Sequence, residues 1–380
     1  MEFIKRYILR RPVAADAELN RRRSSLIADR KRESNIELLR ILLAFYIVLG
    51  HVIIFSGKLT GGGCRADQVF ANLTQSFTSC AVNCFVIISG YYGIRAKWEK
   101  LININIRTVL YTYSFLVLAL LLGIHRIEVK KDILLLFPVL TNQYWFITTY
   151  FFLYIISPFL NSFLTQLQSR QLKTLLIINL LLFYLLPTIC YTLNARQTVS
   201  DSGYGIVNFI CLYTFGYYLR NYYLGAKSSK HYFCLYAISA ILLFLCNYIL
   251  TAIFGFYFNS FISYNTVFNL FCAIFLFLTF LHLRVERSLV IDLISSKTLA
   301  IYIIHMNPST REYIFEKVFN VDHFTGAEYF PLCVAVSLVI VLSATIIDSV
   351  IDTVFLQMER RISNGLYVII KRLIESFGKT

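Results

Sequence analysis

The chain has 380 residues, of which 57% are hydrophobic and 15% are charged, and its mean hydropathy is +0.64. A soluble domain is usually about half apolar and about one quarter charged, so this composition excludes an ordinary soluble protein and predicts one that crosses a membrane several times. The net charge of +15 does not indicate nucleic-acid binding. The basic residues lie mostly in the tails and short connectors, and no DNA-binding motif accompanies them.

The two ends of the chain are predicted to be cytoplasmic tails. Residues 1–35 are rich in Arg and Lys and contain no apolar stretch followed by a small-residue cleavage site, so we expect a solvated basic tail and no signal peptide. Residues 357–380 alternate apolar side chains with Lys371, Arg372 and Glu375 at helical spacing. That pattern predicts a short amphipathic helix at the membrane surface.

The segment between the tails, 36–356, is predicted to be one all-α domain, a bundle of about ten transmembrane helices. A helix needs about 20 mostly apolar residues to cross a bilayer, and only helices can satisfy this much backbone there. Basic connectors after the even-numbered spans place both termini in the cytoplasm. The predicted spans lie near 36–56, 69–92, 104–124, 144–164, 173–192, 205–222, 231–254, 261–282, 298–318 and 330–355.

The first span contains three ionisable residues, Glu37, Arg40 and His51. At 100° per residue all three fall on one face of the helix, with Arg40 near the cytoplasmic end and His51 about 16 Å further along the axis. Ionisable groups inside a membrane usually mark a functional path. The alternative is structural: Glu37 pairs with Arg40 while His51 bonds to a neighbouring helix.

The second span has a polar face and ends in a turn followed by cations. Asn72, Gln75 and Asn83 recur at helical spacing, which is typical either of interhelical hydrogen bonding or of a cavity that faces a substrate. Ser89 and Gly90 permit a close turn before the predicted cytoplasmic loop. Arg95, Lys97 and Lys100 in and after that loop are candidates for holding a phosphate group.

The ninth span contains His305 within an apolar run, followed by Pro308. Proline removes a backbone donor and clashes with the carbonyl four residues earlier, so we expect the helix to kink there. His305 by itself is as compatible with a hydrogen-bonded core residue as with a site residue. The nine cysteines show neither zinc-site nor disulfide spacing, so no metal is expected.

Five segments in chain order resemble the integral-membrane acyltransferase family 3, whose members O-acylate bacterial surface glycans. They are "IELLRILLAFYIVLGH", "CFVIISGYYGI", "YWFITTYFFLYIISPFL", "FGYYLR" and "LAIYIIH". The resemblance implies that Arg40 and His51 are the essential pair, with His51 the catalytic base or acyl carrier and Glu37 at the family's Asp position. Many members have an Arg-x-x-Arg pair in the inner loop, whereas here Trp98 follows Arg95 at that spacing.

The resemblance also implies the reaction. The protein is expected to transfer an acyl group, most simply acetyl, from cytoplasmic acyl-CoA to a hydroxyl of a surface or lipid-linked polysaccharide, in the inner (plasma) membrane. The residues expected to hold the donor are Arg40, Ser89, Gly90, Arg95, Lys97 and Lys100, and those expected to position the substrate are Asn72, Gln75, Asn83, Trp145 and His305. The alternative is a transporter or flippase of a glycan or lipid-linked intermediate, which would need no histidine chemistry.

Overall fold

The computed structural model of the protein describes residues 33–59, 65–193, 195, 201–225, 227–254 and 262–377, and from residue 354 onward only the backbone. Throughout these ranges the ordered secondary structure is helical and no strand occurs. The all-α prediction is therefore confirmed for the described residues. The basic tail predicted at 1–35 lies almost wholly outside them.

Fourteen α-helices are labelled in chain order over the described ranges. They are α1 (Ser34–Phe55), α2 (Ala66–Thr78), α3 (Ala81–Tyr92), α4 (Trp98–Leu121), α5 (Val129–Leu134), α6 (Trp145–Gln166), α7 (Ser169–Leu180), α8 (Leu186–Thr192), α9 (Ile206–Tyr222), α10 (Ser229–Phe254), α11 (Val267–Leu281), α12 (Leu289–Ser296), α13 (Thr298–His305) and α14 (Tyr329–Phe377). A π-helical turn, Leu181–Leu185, joins α7 to α8, and a second one covers Tyr313–Val318.

Seven helical segments in the described chain are long and apolar enough to cross a membrane: Ser34–Phe55, Ala66–Tyr92, Trp98–Leu121, Trp145–Gln166, Ser169–Thr192, Ser229–Thr251 and Gly326–Thr353. Each coincides with a predicted span, so the protein is a multi-pass membrane protein. The predicted sixth and eighth spans form shorter helices, α9 with 17 residues and α11 with 15. The total of ten spans and the cytoplasmic termini remain predictions.

The ninth predicted span differs from a continuous membrane helix. Helix α13 ends at His305, and residues 306–310 form a turn before the chain becomes helical again at Arg311. Pro308 lies in this turn, where its missing N–H leaves no gap in a helical ladder. The kink predicted at Pro308 is therefore a full break, and His305 stands at the end of a helix.

The last helix is longer than its predicted span. Helix α14 runs without interruption from Tyr329 to Phe377, so the stretch predicted as a separate surface helix continues the membrane span. The side chains that would define an amphipathic face there lie outside the described residues.

Helix α1 occupies the centre of the bundle and contacts α2, α3, α11, α12, α13 and α14. Its buried side chains include Leu39, Leu43 and Val48, which have no exposed surface. A central position explains how polar groups of α1 can face protein on every side and avoid lipid.

Two glycines bring α3 and α9 into direct backbone contact. A Cβ atom on Gly90 would lie 2.2 Å from the carbonyl oxygen of Tyr213, and one on Gly216 would lie 2.3 Å from that of Ile87. Small residues commonly permit such close approach between membrane helices. The two positions therefore fix how near these helices lie.

Four charged side chains form a partly buried ionic cluster that ties α14 to α4 and to the junction of α12 and α13. Asp348 accepts from Arg107 at 2.9 Å and lies 2.8 Å from the ammonium of Lys297. Asp352 also pairs with both cations, and Tyr111 donates a hydrogen bond to Asp348. Two positive and two negative groups balance, which is the condition under which buried charges are tolerated.

We predict that Gly90→Ala and Gly216→Ala each destabilise the protein by about 1–3 kcal/mol, because the added methyl group meets backbone that cannot rotate away. Thermal unfolding in detergent measures the effect. Gly365→Ala is the matched control, since nothing lies within 4 Å of the added atom. Equal stability of all three variants would contradict the close contact.

We predict that Lys297→Met destabilises the protein by about 3–5 kcal/mol, because it leaves two carboxylates to share one cation. The exposed Lys230→Met is the control and should be near neutral. Adding Asp352→Asn to Lys297→Met restores charge balance, so the double variant should lose less than the sum of the single losses in detergent unfolding. A simple sum would mean that the groups do not interact.

Candidate active site

An internal cavity of about 720 Å³ begins at the amino-terminal end of α1 and extends into the bundle. Its mouth carries four cationic and two acidic side chains, namely Arg40, Arg95, Lys97, Lys100, Glu33 and Glu37. Four positive and two negative charges leave an excess of two positive charges. An anionic group entering the cavity therefore meets a favourable field.

The inner part of the cavity has a different character, since its walls are aliphatic and aromatic. They are supplied by α1, α4, α6 and α13 and include Ala44, Ile47, Ile104, Phe146, Ile147, Ile301 and Tyr302. At this end lies His305, whose side chain is nearly completely buried at 1% exposure. A ligand with a charged head and a slender, mostly apolar arm matches this gradient.

The loop between α3 and α4 forms one side of the mouth and is held by hydrogen bonds. The N–H of Ile94 donates to the hydroxyl of Tyr213, and the N–H of Lys97 donates to the hydroxyl of Tyr154, both at 2.9 Å. Asn161 donates to the carbonyl of Ile94 at 3.0 Å. These bonds place the backbone of Arg95 and Lys97 at the mouth in a defined conformation.

Five of the six residues predicted to hold the donor line the cavity: Arg40, Ser89, Arg95, Lys97 and Lys100. The hydroxyl of Ser89 lies 3.2 Å from that of Tyr150, which also lines it. Gly90 is the exception, because it faces Tyr213 of α9 and serves helix packing. Glu37 lies 3.5 Å from Arg40 and holds the guanidinium at the cavity wall.

The residues of the second span that were predicted to position the substrate lie between packed helices, away from the cavity lining. Asn83 donates to the carbonyl of Tyr264 at 2.7 Å and to the side chain of Asn269 at 3.1 Å. Asn72 donates to the carbonyl of Gln68 in its own helix at 2.9 Å, and its amide oxygen accepts from Asn247 of α10 at 3.4 Å. Of the two roles considered for this polar stripe, these contacts favour interhelical hydrogen bonding.

Two further predicted positioning residues also stand outside the cavity lining. Trp145 packs in an aromatic cluster, with its ring centroid 4.5 Å from that of Tyr204 and 5.3 Å from that of Tyr264. Gln75 lies against Gly50, the residue before His51. Trp145 is therefore part of the aromatic packing, whereas Gln75 remains near the histidine.

His51 and His305 form a hydrogen-bonded pair. Nδ1 of His51 lies 3.0 Å from Nε2 of His305, and Nδ1 of His305 lies 2.6 Å from the carbonyl oxygen of Ile301. His305 lines the cavity, whereas His51 lies behind it and is not part of the lining. Sequence reasoning singled out both residues but had no means of joining them.

The carbonyl of Ile301 fixes the tautomers of a neutral pair. A carbonyl oxygen only accepts, so His305 carries its proton on Nδ1 and presents an unprotonated Nε2. His51 must then donate from Nδ1, which leaves its own Nε2 with a free lone pair. The arrangement orients one imidazole as a proton acceptor and uses the second to hold it.

Three aromatic residues of α6 at the cavity wall were missed in the sequence. Phe146, Tyr150 and Tyr154 follow one another at intervals of four residues and all line the cavity. That interval places them on one helical face, so the signal was present. In a helix this rich in aromatic residues, however, it does not distinguish cavity from core.

The fold and site define a multi-pass membrane protein with an internal histidine pair at the end of a cationic cavity. A family model described as an acyltransferase domain, Acyl_transf_3, matches residues 33–347. The chain belongs to this family, which confirms the resemblance, and it is a membrane acyltransferase. Searches of curated proteins and of solved structures give no match. The family favours the enzyme over the transporter alternative.

We predict that His305→Phe lowers the acyl-transfer rate by about 10²-fold or more, because His51 loses its acceptor and its orientation. His305→Gln should retain more activity, since the amide oxygen can accept from Nδ1 of His51. His282→Gln, a partly buried histidine outside the cavity, serves as the control. Turnover by purified protein measures all three, and equal losses for Gln and Phe would contradict the positioning role.

Proposed function

We propose that this acyltransferase moves an acyl group, in the first instance acetyl, from cytoplasmic acyl-CoA to a hydroxyl of a surface or lipid-linked polysaccharide in the inner (plasma) membrane. The observation that carries the proposal is the hydrogen-bonded histidine pair at the inner end of a cavity with a cationic mouth. Acyl transfer to a hydroxyl needs both features, a base and a binding site for an activated donor.

The mouth of the cavity suits the phosphate groups of acyl-CoA. Arg40 and Arg95 offer planar guanidinium groups that bind phosphate through two hydrogen bonds, whereas Lys97 and Lys100 act as point charges. The Arg-x-x-Arg spacing of many relatives is absent here. The exposed lysines, on the same loop and at the start of α4, supply the positive charge in its place.

The inner part of the cavity suits the pantetheine arm and the thioester. Its aliphatic and aromatic walls exclude water, which limits hydrolysis of the donor. An arm that extends inward from the mouth brings the thioester carbon towards His305, and so towards the histidine pair. This direction accounts for the change from charged to apolar lining along the cavity.

The chemistry then follows from the tautomers of the pair. Nε2 of His51 takes the proton of the acceptor hydroxyl as its oxygen attacks the thioester carbon. The carbon–sulfur bond breaks as the new ester forms, and the proton passes from His51 to the departing thiolate of CoA. General-base assistance of this kind is worth about 10²–10⁴ in rate. His305 keeps the imidazole of His51 oriented throughout.

We predict that His51→Ala abolishes acetylation in cells, because Ala provides no proton acceptor. A strain that lacks the gene is complemented with wild type, His51→Ala or, as control, His231→Ala, an exposed histidine outside the cavity. Alkali-released acetate from the surface glycan is measured, with immunoblots to confirm equal protein. Wild type and His231→Ala should restore acetate, and His51→Ala should restore less than about one hundredth of it.

Equal restoration by His51→Ala and wild type would remove His51 from the chemistry. Absence of any acetate difference between the deletion strain and its wild-type complement would remove acetyl transfer to the surface glycan itself. The two outcomes therefore separate an error in the residue from an error in the reaction.

A further inference from the structure

The turn after α13 is an ordered polar structure. Asn307 is completely buried, donates to the hydroxyl of Tyr144 at 3.2 Å, and accepts from the N–H of Ser309 at 3.0 Å. Its backbone carbonyl accepts from the N–H groups of Thr310 and Arg311 at 3.1 and 2.9 Å. These bonds define the backbone conformation of the turn, from which the side chains of Ser309, Thr310 and Arg311 extend.

Those three side chains have buried polar atoms without hydrogen-bond partners among the described residues. They are the hydroxyls of Ser309 and Thr310 and Nε of Arg311. Ser309 is 8% and Thr310 is 6% exposed. A buried polar group without a partner is unfavourable, because it has lost its hydrogen bonds to water without gaining others. Three in succession are a concentrated cost, which a bound polar ligand would remove.

The turn lies beside the C-terminal half of α1, outside the lining of the internal cavity. His305, just before the turn, bonds to His51, and Phe315, just after it, stacks on Phe55 with ring centroids 4.4 Å apart. The segment 306–314 therefore runs along α1 between His51 and Phe55.

His51 lies outside the lining of the internal cavity. Its side chain is half-buried, although it contributes nothing to the cavity lining. None of residues 307–311 lines that cavity either, and no carboxylate forms an ion pair with Arg311 within the described part of the chain. The turn and His51 thus form a second polar region behind the histidine pair.

We propose that Ser309, Thr310 and Arg311 bind the sugar that carries the acceptor hydroxyl, on the side of the histidine pair opposite to the internal cavity. Two hydroxyls and a guanidinium group suit a sugar, whose hydroxyls both donate and accept hydrogen bonds. The inference rests on the proposed function. It adds that the acceptor sugar contacts the turn after α13, which is separate from the lining of the internal cavity.

The test uses purified full-length enzyme, radiolabelled acetyl-CoA and two acceptor preparations from a strain that lacks the gene. Its membranes provide lipid-linked sugars, and its extracted surface polysaccharide provides the polymer. The variants are Ser309→Ala combined with Thr310→Val, and, separately, Arg311→Lys. For the preparation that wild type acylates, the half-saturating acceptor concentration should rise about tenfold in each variant.

Donor-side properties should stay constant in these variants. The KM for acetyl-CoA and its hydrolysis without acceptor should change by less than about twofold, because the turn does not line the internal cavity. Ser337→Ala combined with Thr345→Val is the matched control, since those buried hydroxyls bond to carbonyls of their own helix. This control should leave both acceptor and donor constants unchanged.

Each outcome has a distinct meaning. Unchanged acceptor saturation in both variants, or an equal rise in the KM for acetyl-CoA, would overturn the acceptor site while leaving the proposed function in place. A wild-type enzyme without acetyl-CoA turnover would overturn the proposed function instead. Should the double variant fail to fold, the conservative Arg311→Lys decides by the same measurement.

Discussion

The hydrogen bond between His51 and His305 is the contact on which the architecture of the site depends. It joins the central helix α1 to the end of α13, and it is possible because α13 stops at His305 and leaves that imidazole at a helix end. The carbonyl of Ile301 then determines which nitrogen carries each proton. One backbone acceptor thereby orients two side chains 254 positions apart in the chain.

The cavity mouth depends on a different device, a short loop anchored by side chains from elsewhere. Tyr154, Asn161 and Tyr213 bond to the backbone of residues 94–97, so the loop has a defined path although it has no regular structure. The positive charges of Arg95 and Lys97 are consequently presented at the mouth. A loop whose backbone is already ordered lowers the ordering cost of binding an anionic ligand.

Most polar side chains inside the bundle serve packing. Asn83 and Asn269 bond to each other and to neighbouring carbonyls, and many Ser and Thr hydroxyls bond to carbonyls of their own helices. Such groups find partners because an unsatisfied polar group in hydrocarbon is costly. Against this background, Ser309, Thr310 and Arg311 are candidates for ligand contacts because their unpartnered polar atoms are consecutive in the chain.

The sequence alone determined the helical class, seven of the membrane segments, the family, and seven residues of the cavity lining, because hydropathy and helical spacing are local properties. The same local properties predicted Gly90, Asn72 and Asn83 as site residues, but the structure places all three outside the cavity lining. The pattern of one helix does not reveal which neighbouring helix covers each of its faces. Only the tertiary structure decided that His305 meets His51 and that His305 lines the cavity while His51 lies behind it. Distances between residues 254 positions apart depend on how whole helices pack, and no local pattern encodes them.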